Sequence, residues 1–161
     1  MTSEQPRRAA VVDPAKVEEK TGNPYPGGLG EPVGLRGRRA LGDAAGLTQF
    51  GVNLVRLPPG GWSSLRHWHR HEDEFVYVLD GELTLVTDQG ESVLGAGMAA
   101  GFPADCGDGH QLQNRGTGVA TYLEVGLRSP VEEVTYPDAD LHLRRNPEIG
   151  RIWSNKKGVP Y

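Results

Sequence analysis

The sequence predicts an all-β protein folded as an antiparallel sandwich or barrel. About eight short runs rich in β-branched and aromatic residues follow one another between residues 49 and 134, and none of them has a helical period. The chain also contains 23 glycines and 12 prolines, scattered at short intervals, as expected for many tight turns. Its 161 residues suffice for one domain with a sizeable core.

Residues 1–45 are predicted to form an N-terminal arm outside the barrel. Asp13-Pro14 suits the start of a helix and Gly22 its end, so we expect a short helix over residues 15–21. Prolines and glycines then make residues 23–28 irregular. Further basic residues are interpreted as solvated charges in or beside a strand: Arg36, Arg38 and Arg39.

Residues 46–135 are predicted to form the barrel. Its strand-like runs cover residues 50–54, 75–79, 82–87, 91–94, 98–102, 110–114 and 119–125. Asp80-Gly81 is interpreted as a two-residue hairpin turn, and residues 88–90 as a second turn. Residues 136–161 are predicted to be a short C-terminal tail packed on the barrel.

The bulk composition argues against several classes of partner. The net charge is -4 and the basic residues are dispersed, whereas nucleic-acid binding usually needs a concentrated basic face. No apolar run reaches the length of a membrane span, and the first residues lack the apolar region of a signal peptide. We therefore expect a cytoplasmic protein with a small-molecule ligand. Cys106, the only cysteine, excludes an intrachain disulfide and is interpreted as a loop residue without chemistry.

Three of the five histidines fall within residues 66–71. His67 and His69 are two positions apart, so in a strand both side chains leave the same face, and Glu74 follows closely. Imidazole and carboxylate groups are ligands of divalent transition metals. The pattern therefore predicts a metal site, while His71 is interpreted as a turn residue outside it.

The spacing Gly61-x5-His67-x-His69-x4-Glu74-x6-Gly81 resembles the first motif of the cupin superfamily without departure. The second cupin motif is matched at its opening by Gly97 and Pro103 and at its end by residues 110–114. The resemblance covers residues 49–125. It extends to a subgroup of small bacterial single-domain cupins, some of which carry a sugar-phosphate isomerase label.

The second motif departs from the family pattern in its middle. Asp105 stands where glycine is expected, and two extra residues separate Pro103 from His110. Asp108 occupies the position that the histidine would take without this insertion. We expect the extra residues to bulge outwards and leave His110 in register.

What the resemblance implies is a jelly-roll barrel, or double-stranded β-helix, that holds one divalent metal. Carried over by position, the ligands would be His67, His69, Glu74 and His110. Iron, manganese, nickel, copper and zinc all accept such donors, so the metal stays open. The resemblance and the extra arm also imply a homodimer.

Three residues are candidates for the wall of a substrate pocket. Tyr77 and Tyr122 could each donate a hydrogen bond there, although simple packing is an alternative. Arg56 could anchor an anion through its forked guanidinium, as could Arg66 and Arg115.

Several functions are consistent with such a site. An enzyme could isomerise a sugar or sugar phosphate, with Glu74 or a metal-bound hydroxide as the catalytic base, or act as a dioxygenase that cleaves or oxidises a small molecule. A non-catalytic binding or sensory module is the alternative, because no acid or base outside the ligand set stands out. A purely structural barrel is disfavoured, since buried imidazoles without a metal destabilise a core.

Overall fold

The computed structural model of the protein describes residues 9–161, so the first eight residues of the predicted arm lie outside it. The strands are β1 (Gly37–Ala40), β2 (Phe50–Leu57), β3 (Trp68–His69), β4 (Glu74–Asp80), β5 (Glu82–Thr87), β6 (Gly90–Gly95), β7 (Ala99–Phe102), β8 (Gln111–Gln113), β9 (Ala120–Leu127), β10 (Glu132–Tyr136), β11 (Leu141–Asn146) and β12 (Gly150–Ser154). The helices are α1 (Leu41–Ala44) and the 3-10 turns Pro14–Lys16, Pro26–Gly28 and Glu31–Leu35.

The strands form three antiparallel sheets, which confirms the all-β prediction. A five-stranded sheet has the order β1-β2-β9-β4-β7, a four-stranded sheet the order β12-β11-β10-β3, and a three-stranded sheet the order β6-β5-β8. Within residues 9–161, no helix has the length and apolar character needed to cross a membrane.

The main core lies between the five-stranded and three-stranded sheets. Strand alternation builds it: in β4, Val76 and Val78 are buried, whereas Phe75, Tyr77 and Leu79 face outwards and are exposed. The buried members are Val55, Leu57, Val76, Val78, Leu83, Leu94, Leu112, Ala120 and Tyr122.

A second apolar core belongs to the four-stranded sheet. Its buried members are Val134, Tyr136, Leu141 and Leu143, packed against Tyr25, Leu29, Leu65, Ala139 and Trp153. Residues 136–161 therefore contribute two paired strands and part of a core, and the N-terminal arm packs against them through Tyr25 and Leu29.

The predicted hairpin at Asp80-Gly81 is wrong. Strand β4 pairs with β7 and β9, whereas β5 pairs with β6 and β8, so this turn carries the chain from one sheet to another. Gly81 is required there because its φ is 78° and an added Cβ would lie 2.9 Å from the Cα of Ala120. The turn over residues 88–90 does join paired strands, with Thr87 opposite Gly90.

The helix predicted over residues 15–21 is also wrong. Asp13 caps a single 3-10 turn by accepting a hydrogen bond from the backbone N–H of Ala15 at 3.0 Å, and Val17 is already extended. Beyond it, Lys20 exchanges two backbone hydrogen bonds of 2.9 Å with Arg38. Pairing with the sheet edge thus replaces the intrahelical hydrogen bonds.

Candidate metal centre

The four predicted ligands come from different parts of the fold and meet at one place. His67 directly precedes β3, His69 ends it, and Glu74 is the first residue of β4. His110 directly precedes β8 and pairs with His67, with backbone N···O distances of 3.1 and 2.8 Å. This pairing brings the two sequence motifs side by side.

The extra residues before His110 form a loop that leaves this pairing intact. Asp105 takes a left-handed φ of 56°, a conformation usually left to glycine, and its backbone N–H donates to the carbonyl of His69 at 2.8 Å. Asp108 accepts a hydrogen bond from the backbone N–H of Asp88 at 2.7 Å and does not join the histidines. Cys106 is exposed in the same loop.

The donor atoms of the cluster converge within hydrogen-bond distances. The Nε2 atoms of His67 and His69 are 3.1 Å apart. The Oε2 atom of Glu74 lies 2.9 Å from Nε2 of His110, 3.6 Å from that of His67 and 3.4 Å from that of His69.

These separations fit a divalent metal ion. Donors held at about 2.0–2.1 Å from one ion lie roughly 3.0 Å apart at a right angle and roughly 3.4 Å apart at a tetrahedral angle. The observed range of 2.9 to 3.6 Å spans both values. Three imidazole nitrogens and one carboxylate oxygen are also the donor types that such ions accept.

The rings of His67 and His110 are held in place by their neighbours. Nδ1 of His67 lies 2.8 Å from the carbonyl of Leu65, so this nitrogen donates and Nε2 keeps its lone pair. His110 stacks on Phe102 with ring centroids 3.7 Å apart and planes 4° from parallel.

Two buried carboxylates stand behind His69. Its Nδ1 atom lies 3.5 Å from Oε2 of Glu132 and 3.7 Å from Oε2 of Glu72. The other oxygen of Glu132 accepts hydrogen bonds from the backbone N–H groups of Arg70, His71 and Glu133, at 3.0, 3.1 and 2.7 Å. Nδ1 of His69 and Oε2 of Glu132 have no hydrogen-bond partner among residues 9–161, so the two groups interact through charge. A negative charge here favours the proton on Nδ1, directs Nε2 towards the cluster and increases the basicity of the imidazole.

Glu72 is fixed in the same way. Its Oε1 atom accepts hydrogen bonds from the backbone N–H of Ser129 at 2.7 Å and from Arg145 at 2.6 Å. Arg145 lies in β11, so the support for His69 reaches into the four-stranded sheet.

The cluster has a consistent electrostatic pattern. Burial disfavours the Glu74 carboxylate, yet the hydrogen bond that Nε2 of His110 donates holds the pKa of Glu74 well below its ordinary value. Burial lowers the pKa of His110 despite the nearby Glu74. Burial acts in the same direction on His69, but the surrounding carboxylates, Glu132 first, raise its pKa. The site therefore combines an ionised carboxylate with at least one neutral imidazole.

The cluster lines a cavity of about 190 Å³ at the meeting of the two apolar cores. Val76 and Leu112 come from the main core, and Val134, Tyr136 and Leu143 from the second. Aromatic rings of the second core stand in the same wall, with Tyr25 edge-on to Tyr136 and Trp153 at centroid distances of 5.6 Å. The candidate metal centre thus opens into a pocket whose wall is partly apolar.

The structure places one of the three predicted pocket residues in this wall. Tyr122 lines the cavity, whereas Tyr77 points outwards from β4 and is exposed. Tyr77 has the opposite strand parity to Glu74, which sends its side chain to the other face of the sheet. Arg56 is exposed outside the cavity and pairs with Glu19 at 2.8 Å.

The other sequence candidates also lie away from the cavity. Arg66 binds Asp138 at 2.6 and 2.8 Å and also contacts Asp88. Arg115 binds Glu91 through two hydrogen bonds of 2.7 Å. His71 is exposed, as its interpretation as a turn residue requires.

Three residues of the site were missed by the sequence reasoning: Arg36, Glu124 and Glu132. Arg36 was interpreted as a solvated charge, but its side chain is only 19% exposed and reaches the cavity wall. Glu124 has the strand parity of Tyr122, so alternation along β9 could have found it. Nothing in the sequence near Glu132 signals its contact with His69.

Comparison with known proteins agrees with the motifs. A cupin domain model matches residues 53–126. A crystal structure from Silicibacter pomeroyi, described as a sugar phosphate isomerase of the cupin superfamily, is 45% identical, with 94% of this chain and 96% of that chain covered and a TM-score of 0.90. A protein from Acidithiobacillus ferrooxidans, provisionally described as a sugar phosphate isomerase, is 30% identical, with 89% and 87% covered and a TM-score of 0.77.

More distant similarity extends to the fold alone. The polyketide cyclase RemF from Streptomyces resistomycificus is 22% identical, with 89% of this chain and 88% of that chain covered and a TM-score of 0.63. A search among curated proteins found no match. The similarity to the Silicibacter structure over nearly the whole chain confirms the resemblance seen in the two motifs, and the protein belongs to the cupin superfamily.

Proposed function

We propose that this protein is a metal-dependent enzyme that isomerises a sugar or sugar phosphate. The observation that carries the proposal is the convergence of His67, His69, His110 and Glu74 in the wall of one cavity. The descriptions of the relatives at 45% and 30% identity support this substrate class. A cavity of about 190 Å³ suits a small substrate.

The side chains have separate tasks in this proposal. A divalent metal held by the four donors would polarise the carbonyl oxygen of an open-chain sugar. Isomerisation then needs a base that moves a proton between adjacent carbons, and we assign this role to Glu74, the one carboxylate among the four donors, which stands in the cavity wall. The apolar wall around Val76 and Leu112 limits access of water.

The first test measures bound metal and turnover together. Purified protein should retain close to one divalent metal per chain, and nuclear magnetic resonance should detect interconversion of at least one aldose and ketose pair in a panel of sugars and sugar phosphates. Glu74→Gln should lower kcat by about 100-fold or more, because it removes the base and one donor charge. His71→Ala, in the same segment but exposed, is the control.

Other outcomes would point to different functions. Tightly bound zinc alone would rule out the oxygen-dependent alternative, since that chemistry needs a redox metal. Metal-loaded protein that binds sugars but turns over none of them would contradict the proposal and favour a non-catalytic binding module.

We also propose that the protein is a homodimer that buries the outer face of the five-stranded sheet. Phe75, Leu79 and Leu127 are exposed there, and several exposed apolar side chains on one sheet face can form a contact surface. We expect analytical ultracentrifugation to give twice the mass of one chain. Phe75→Glu should shift the sample towards monomer, and a monomeric wild-type protein would contradict the proposal.

A further inference from the structure

Several polar side chains outside the four converging donors line the same cavity, among them Arg36, Tyr122 and Glu124. Tyr122 and Glu124 are two positions apart on the inner side of β9, and Arg36 comes from the arm directly before β1. All three stand in the cavity wall with the histidines, and none of them is among the four converging donors.

Tyr122 has an unmet hydrogen-bonding capacity. Its side chain is fully buried, and its hydroxyl has no hydrogen-bond partner among residues 9–161. A buried hydroxyl is normally paired, so this atom is suited to a ligand. Burial raises the pKa of Tyr122, so the hydroxyl stays protonated and can donate as well as accept.

Arg36 and Glu124 compensate each other's charge. Nη1 of Arg36 donates to the carbonyl of Ser63 at 2.6 Å and lies 3.7 Å from Oε2 of Glu124. The other carboxylate oxygen accepts a hydrogen bond from Asn53 at 2.9 Å. An anion placed here would meet the Glu124 carboxylate as well as the guanidinium, whereas a hydroxyl group can donate to the first and accept from the second.

We infer that Arg36, Tyr122 and Glu124 form a subsite for the neutral, hydroxyl-bearing part of the substrate. The inference rests on the proposed function, because it assigns one portion of the same sugar substrate. Arg36 can donate hydrogen bonds, Glu124 can accept them and Tyr122 can do both. This set matches neighbouring hydroxyl groups on a sugar chain. The phosphate of a sugar phosphate lies elsewhere in the cavity or at its mouth.

Binding of xylitol 5-phosphate, a reduced sugar phosphate that cannot isomerise, tests this assignment. Calorimetry on metal-loaded protein should show about tenfold weaker binding for Tyr122→Phe and for Glu124→Gln, since each loses one hydrogen bond to the ligand. Binding of inorganic phosphate should be unchanged in both variants. Tyr77→Phe and Glu91→Gln remove the same chemical groups outside the cavity and should bind both probes as the wild type does.

Two results would overturn the inference. The first is that xylitol 5-phosphate binds the two variants as tightly as the wild type, or binds none of these proteins. The second is that the variants lose affinity for inorganic phosphate as much as for xylitol 5-phosphate, which would make this an anion site. Metal content measured in the same samples separates the two proposals. Protein that takes up no metal contradicts the proposed function, whereas metal-loaded variants with wild-type affinity contradict only the subsite.

Discussion

Replacing His67 and His69 together by alanine is expected to abolish metal retention. The two substitutions remove two of the four converging donors, and both of these donors come from the β3 segment. Bound metal should stabilise the folded wild-type protein by about 4 kcal/mol at a free metal concentration of 1,000 Kd, and the double variant should lose this stabilisation. Plasma mass spectrometry of the purified protein and thermal unfolding with and without added metal would measure both effects.

His71→Ala controls for this double substitution, because it removes an exposed imidazole from the same segment. It should keep the metal content and the unfolding temperature of the wild type. Unchanged metal content in the double variant would contradict the ligand assignment.

Glu132→Ala is expected to have the second-largest effect, although Glu132 is not among the four donors. The carboxylate is 1% exposed, accepts three backbone hydrogen bonds and stands behind His69. Removing it leaves buried donors unsatisfied, so we expect a loss of about 3 to 5 kcal/mol in the free energy of unfolding. Metal affinity should fall by about 10- to 100-fold, because His69 loses the group that orients it.

Two further substitutions separate these effects. Glu132→Gln keeps one oxygen for the backbone donors but has no carboxylate charge beside His69. We therefore expect it to lower metal affinity while changing the free energy of unfolding less than Glu132→Ala does. Glu133→Ala, which removes a neighbouring carboxylate paired with Arg70 at the surface, should change neither quantity appreciably. Wild-type metal affinity in both Glu132 variants would show that the carboxylate does not support His69.

The metal cluster could be predicted because its signal is local. His67 directly precedes β3 and His69 ends it, so extended backbone sends both side chains to one face, and Glu74 begins the next strand only five residues later. His110 needed the family pattern and an assumption about its loop. The same rule excludes Tyr77 from the cavity, since its strand parity differs from that of Glu74.

The supporting residues could not be predicted because they arise from long-range contacts. Glu132 reaches His69 through the pairing of Val134 with His69, which depends on how the C-terminal sheet docks. Arg36 comes from an irregular arm without periodicity, so its half-buried position follows only from the packing of that arm. The turn at Asp80-Gly81 has the residue types of a two-residue hairpin, but strand pairing is decided by the tertiary fold, and the turn joins two different sheets.

The position of β3 has a consequence for how the molecule comes apart. His69 lies in the four-stranded sheet, Glu74 in the five-stranded sheet, and His110 at the edge of the three-stranded sheet. An ion bound to all of them would cross-link the three sheets, in addition to the backbone pairing of His67 with His110, which joins the segments of β3 and β8. None of the three sheets could then open locally without releasing a ligand, so the metal would make them unfold as a single cooperative unit.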